Sequence, residues 1–232
     1  MNIAEKIPTK EALIESAAEL FVEKGYAAVS TREIADRAGV NLGSIQYHFG
    51  SKANLFVETV TSMMRRRHEL KNYFVQCQDI SRKEDAAFEL CVFVRSLLFD
   101  LCNPEGLDVC RLMHREIHGA PAQDPEMFEA LVSSVVNDFI SPRDSRLRSL
   151  VNILVPDADP FKVNIYIQAI IGQCSFYVTH RPFIERLRDV SVNSREYLEE
   201  VADTLLDFTM RGLGLEQALV SQAIAKSKEV KR

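Results

Sequence analysis

The 232 residues, 47% apolar and 26% charged, suffice for one large domain or for a small one joined to a medium one. No apolar run approaches the ~18–20 residues of a membrane span, and Glu5, Lys6, Lys10 and Glu11 stand where a secretory leader would be apolar. Five cysteines without a C-x-x-C pair, and a net charge of −5, argue against a disulfide framework and a sprawling basic nucleic-acid surface; the expectation is a soluble cytoplasmic protein.

Local charge leaves DNA open. Residues 1–60 carry six Lys or Arg against eight Asp or Glu, yet from Arg37 to Val57 there is no acid, while Arg37, His48 and Lys52 are present. Acids and bases on different faces of a small unit make the total charge a poor guide.

No proline falls between residues 9 and 103, apolar residues recur at helical spacing, and hairpin dipeptides are absent, so the chain reads as all-α. Gly25, Gly39, Gly43 and Gly50 crowd into one short stretch, which predicts short helices and tight turns there and longer helices afterwards. The expected organisation is a three-helix DNA-binding domain over 1–56, a larger helical regulatory and dimerisation domain over 57–214, and a polar Lys-rich tail over 215–232 that reads as a frayed helix.

Thr9 is the expected cap of the first helix, with Leu13, Ala17 and Phe21 in one stripe and Ile14, Ala18 and Val22 beside it, and Gly25 supplies a left-handed stop. Ser30-Thr31-Arg32-Glu33 has the form of a capping box. It opens a short helix with Ile34, Ala35 and Ala38 inward, and Gly39 then turns the chain. Asn41 caps a second short helix to about Phe49, and Ser51 caps the long one that follows. Two short helices joined by a glycine turn behind a packing helix make a helix-turn-helix. On a wheel of the second, Leu42, Ile45 and Phe49 share the anchoring side. Gly43, Ser44 and Tyr47 point the opposite way, with Gln46 and His48 on the flanks. Short residues let a backbone approach base edges, and polar ones supply donors and acceptors; an ordinary solvated helix is the plain alternative.

Residues 9–56, TKEALIESAAELFVEKGYAAVSTREIADRAGVNLGSIQYHFGSKANLF, resemble the DNA-binding domain of TetR-type transcriptional regulators. The resemblance rests on Phe21, Gly25-Tyr26, Thr31, Ile34-Ala35, Gly39-Val40, Tyr47-His48-Phe49, Ser51-Lys52 and Leu55; Gln46 stands where that family often has an aromatic residue. HREIHGAPAQDPEMF (114–128) and IIGQCSFYVTHRP (170–182) resemble the CecR-like branch. The resemblance implies phosphate contacts from Lys52, Tyr47 and His48. For base contacts it offers Arg32, Ser44, Leu42, Gly43 and Gln46, and Thr31 joins the DNA-binding residues without a base of its own. A free ammonium at a helix N-terminus suits that role for Lys52. Arg32 could instead pair with Glu33 or Asp36, and His48 could simply pack between helices.

Helices are expected at 51–78, 82–102, 107–118, 124–153 with a break near Pro142, 159–180 and 194–212. The one at 159–180 is apolar almost all round, which calls for burial on both sides and hence a partner subunit. The resemblance implies a homodimer through 159–180 and 194–212. The face of Ile167, Ile171 and Val178 is expected at the partner, and that of Tyr166, Ile170 and Tyr177 inside. Arg95, His114, Gln173 and Tyr177 are the candidate lining of a pocket for a small-molecule effector, partly apolar with an anionic or acceptor group for Arg95; Arg95 could equally pair with Glu116 or another acid. His114 and His118 have a metal-like spacing, but H-E-x-x-H is absent and neither metal, cofactor nor catalytic residues are expected. The free cysteines read as small buried hydrophobes. Arg65-Arg66-Arg67 reads as a solvated face. The leading function is thus a ligand-responsive regulator, a repressor, that binds a palindromic double-stranded operator and is released by its effector. The other reading is a small-molecule-binding helical protein or enzyme with the N-terminal unit as a docking module.

Overall fold

In a computed structural model the described residues are 9–70, 80–119 and 124–230, and all regular structure among them is helical. None of these helices is long and apolar enough to cross a membrane. The chain divides into two compact units, one of Met1–Arg67 with Asp108–Ile140 and one of His68–Leu107 with Ser141–Arg232.

The first unit opens with α1 (Thr9–Lys24), α2 (Thr31–Ala38), α3 (Gly43–Phe49) and α4 (Lys52–Leu70). Local chemistry sets these boundaries. Ser30 Oγ accepts the Glu33 N–H at 3.1 Å, Asn41 Oδ1 accepts the Gly43 N–H at 2.8 Å, and Ser51 Oγ accepts the Asn54 N–H at 3.1 Å. Gly25 and Gly39 stop their helices at positive φ. Leu13, Ala17, Leu20 and Phe21 of α1 bury against Ile34 and Ala35 of α2, Ile45 and Phe49 of α3, and Leu55, Phe56 and Val60 of α4. Phe56 sits edge-on to Phe21 at 4.9 Å and tilted to Tyr26 at 5.0 Å.

That core does not end at residue 56. Leu112 of α6 (Pro104–Gly119) and Met127, Leu131 and Val135 of α7 (Pro125–Val135) belong to it. A core of some fifty residues is small for an independent domain, and these two helices enlarge it. A π-helical turn, Val136–Ile140, follows α7 and leads into α8 (Ser141–Leu154). The expected break thus falls just before Pro142, whose ring crowds the carbonyl four residues back and widens the turn. The expected end of the first long helix, 71–78, lies outside the described residues.

The second unit is built around α5 (Lys83–Cys102), buried on nearly every side by α8, α9 (Pro160–Thr179), α11 (Arg195–Gly212) and α12 (Gln217–Lys228). One short helix was not foreseen. The short α10 (Arg181–Arg188) follows α9 and has no fully buried residue, though Ile184 packs against the core. The stretch 215–232, expected as a polar tail in a frayed helix, holds α12, which is helical as expected but buries Val220, Ala223 and Ser227. Buried charges are paired: Arg146 grips Glu89 through two bonds of 2.8 and 2.9 Å. Arg95, 0% exposed, donates to Ser227 Oγ at 2.9 Å, Glu199 Oε2 at 2.5 Å and the Asp203 carboxylate, which also takes Lys228. Burial pushes the Cys91 and Cys174 thiols up to about 12, so neither forms a thiolate at neutral pH.

Candidate nucleic-acid interface

Helix α3 is held by two side chains, Ile45 and Phe49, and presents the rest outward. Gly43 and Gln46 are exposed, Ser44 is half-buried, and Tyr47 is 85% exposed with its ring edge-on to His48 at 4.9 Å. Leu42, expected on the anchoring side, is 49% exposed: α3 begins one residue later, and Leu42 stands in the turn before it. It therefore joins the outward set. His48 is half-buried between the Tyr47 and Phe49 rings. Thr31 opens α2, half-buried, with Arg32 exposed beside it. Glu33, one of the two acids considered for Arg32, holds the Lys24 ammonium at 2.5 Å, and among the described residues Arg32 makes no ion pair.

Lys52 departs from expectation. Its ammonium is not free: Nζ lies 4.3 Å from the centre of the Tyr26 ring, over its face, and the side chain is half-buried. Burial lowers the Lys52 pKa, while the nearby Asp124 and Glu116 carboxylates act in the opposite sense. Tyr26 fixes those acids in place. Its hydroxyl donates to Asp124 Oδ2 at 2.8 Å and its backbone N–H to Glu116 Oε1 at 3.0 Å. Arg115 completes the junction by donating to the Phe21 carbonyl at 2.5 Å. No sequence signal near residue 52 foretells this, because Tyr26 lies 26 residues before it and Glu116 and Asp124 lie 64 and 72 residues after it.

Gly25 is required here twice over. Its φ is +84°, and a Cβ would lie 2.9 Å from Arg115 Nε and 3.3 Å from Glu116 Oε1. Gly25→Ala is expected to destabilise the fold by about 1–3 kcal/mol, with a lower thermal midpoint as the readout.

The pocket candidates are not gathered. Arg95 is satisfied by the chain's own acids, the outcome considered as its alternative, although the partners are Glu199 and Asp203, not Glu116. His114 is exposed on α6, in the other unit. Gln173 accepts the Thr209 hydroxyl at 3.3 Å, and Tyr177 faces Tyr197 at 6.4 Å, both between α9 and α11. The His118 side chain lies outside the described residues, among which no three His, Cys, Asp or Glu side chains gather as a metal site.

With this geometry in hand, comparison with known proteins is decisive. Residues 13–59 match the family "Bacterial regulatory proteins, tetR family", and residues 87–213, over half the chain, match the C-terminal domain of the HTH-type transcriptional dual regulator CecR. The chain belongs to the TetR family. Members of that family are transcriptional regulators with a DNA-binding helix-turn-helix, not enzymes, and this chain falls in the branch with a CecR-type C-terminal domain. The probable regulator YttP of Bacillus subtilis is 45% identical over 56 residues, which are 24% of this chain and 27% of YttP. The chain thus aligns with only about a quarter of that curated relative's length. Among solved structures, the fatty acid degradation regulator FadR from Bacillus halodurans superposes with a TM-score of 0.60 at 17% identity, covering 87% of this chain and 96% of FadR. AibR, solved with isovaleryl coenzyme A and operator DNA, gives 0.56 at 15% identity, covering 85% and 95%. At those identities the likeness is one of fold.

Proposed function

We propose that this TetR-family chain acts in the cytoplasm as a homodimeric repressor that reads a palindromic operator and is released by a small-molecule effector. The observation that carries the DNA reading is the division of α3, with Ile45 and Phe49 anchored while Leu42, Gly43, Ser44, Gln46 and Tyr47 face out. In this reading Gly43 and Ser44 let the helix approach base edges, Arg32, Leu42 and Gln46 reach flanking bases, and Thr31, Tyr47, His48 and Lys52 meet phosphates.

Support for the dimer comes from apolar side chains that the subunit leaves uncovered. The inward stripe of α9 is Val163, Ile167, Ile170 and Cys174, so the preferred partner face is corrected: Ile167 is spent inside the subunit, and Ile171 is packed against the core. The uncovered side is Phe161, Ile165 and Phe176 of α9, Phe183 and Leu187 of α10, and Phe208 of α11. Gly172 lies mid-α9 with open space where its Cβ would stand. A mid-helix glycine costs about 1 kcal/mol, which close approach of a second helix would offset. The effector reading keeps Gln173 and Tyr177 as pocket candidates, without Arg95 or His114. AibR's complex supports the idea that one such architecture holds both an effector and DNA.

The test is selection of duplexes from a random pool, then affinity measurements on the winner. A two-fold dimer is expected to select a pseudo-palindrome. Lys52→Ala is expected to weaken binding to all sequences alike and to flatten the salt dependence by about one counterion. Ser44→Ala or Arg32→Ala is expected to lose about 1–3 kcal/mol at one base position per half-site. Selection of nothing, or binding indifferent to all three substitutions, contradicts the reading.

A further inference from the structure

The junction around Tyr26 gives Lys52 two uses for one charge. Its ammonium lies over the Tyr26 ring at 4.3 Å. The hydroxyl of that ring donates at 2.8 Å to Asp124, and Tyr26's own N–H is bound by Glu116. Asp124 is doubly fixed: Oδ1 accepts the Met127 N–H at 3.0 Å as the N-cap of α7, while Oδ2 takes the tyrosine. Those bonds, first the Met127 N–H and then the Tyr26 hydroxyl, hold its carboxyl below the usual range, so the charge is present throughout the neutral region. A lysine over an aromatic face beside two carboxylates has compensation for its partial burial. A DNA phosphate would draw on the same positive charge and the same three N–H donors, and the two carboxylates would repel it.

We infer that Asp124 is a positioning residue that contends with DNA phosphate for the Lys52 ammonium. Resting on the DNA-binding reading above, this makes the α6–α7 junction a restraint on the reading head. With Asp124 docked on Tyr26 the phosphate anchor is retracted, and engaging DNA draws Lys52 away from both. Whatever is gained at the phosphate is reduced by what is lost at Tyr26 and Asp124, and by linkage DNA binding loosens the junction to the same extent. Removing the charge of Asp124 therefore strengthens DNA binding, the reverse of what loss of a purely structural contact would do.

The experiment is a four-protein cycle of wild type, Asp124→Asn, Lys52→Met and the double variant, each titrated with the duplex that wild type selects from a random pool. Asparagine is nearly isosteric and caps helices about as well as aspartate, and Asp124→Ser, also a capping residue, serves as a second neutral variant. The expected result is a gain of about two- to fivefold in affinity for Asp124→Asn with Lys52 present, as for a partly exposed charge pair, and no gain with methionine at 52. An equal gain in both backgrounds would mean that Asp124 merely repels DNA at large and would overturn the proposal. A loss of affinity with Lys52 present overturns it also. If Lys52→Met alone leaves affinity and its salt dependence unchanged, the phosphate role of Lys52 itself fails, a distinct outcome read from a different pair of proteins.

Discussion

Phe208→Glu is expected to convert the proposed dimer to monomers without unfolding the subunit. The phenylalanine is 70% exposed in the isolated subunit, so a carboxylate there stays hydrated and costs the monomer little. In a two-fold interface each substitution appears twice, and burying an unpaired charge costs several kcal/mol. The dimer dissociation constant is therefore expected to rise by at least about 10²- to 10³-fold. Sedimentation would show the monomer, circular dichroism would show undiminished helix, and binding to the palindrome would collapse because each half-site is held alone. A dimer that survives would place the interface away from Phe208 and would leave the uncovered phenylalanines of α9 and α10 without this explanation.

Arg95→Met is expected to produce the opposite pattern, with loss of stability and no direct loss of DNA contacts. The guanidinium is fully enclosed, and its partners come from α11, through Glu199 and Asp203, and from α12, through Ser227. Methionine fills much of the same volume but takes the arginine from Glu199 and leaves Asp203 with Lys228, and it removes one donor to Ser227 Oγ. Breaking such a pair costs about 3–5 kcal/mol, which for a chain of this length corresponds to a fall in thermal midpoint on the order of 6–20 °C. Hydrogen exchange is expected to show the loss first in α12, since Ser227 and Lys228 both sit at its end and both join this network. Unchanged stability would mean that the acids, each about one-third exposed, reach water easily once the arginine is gone.

Features that depend on neighbouring residues were legible in the sequence. Ser30 and Ser51 cap as their spacing predicts, Gly25 and Gly39 turn the chain, and Ile45 and Phe49 anchor α3 as a helical wheel requires; Asn41 binds the Gly43 N–H from one residue before the cap position, which Leu42 takes. Features that depend on distant partners were not. Lys52 lies over the ring of Tyr26, whose hydroxyl is bound to Asp124, and Arg95 is satisfied by acids more than a hundred residues away. The membership of α6 and α7 in the first unit rests on Leu112, Met127 and Leu131, whose apolar character fits either unit equally well. Helix α9 is apolar on so many sides that periodicity alone cannot choose its inward stripe. For α12 the helix was legible but its packing was outweighed by lysines, although Val220, Ala223, Ile224 and Ser227 recur at i, i+3, i+4 and i+7.

The central claim is that α3 of each subunit reads one half of a two-fold site. The most direct test is a missing-contact footprint of wild type against Ser44→Ala on the selected duplex, resolved to single base pairs. The account predicts that the substitution erases contact at two base pairs, related by the dyad of the site, with the remaining protections intact. Loss at one unpaired position, or a footprint identical to wild type, would contradict it.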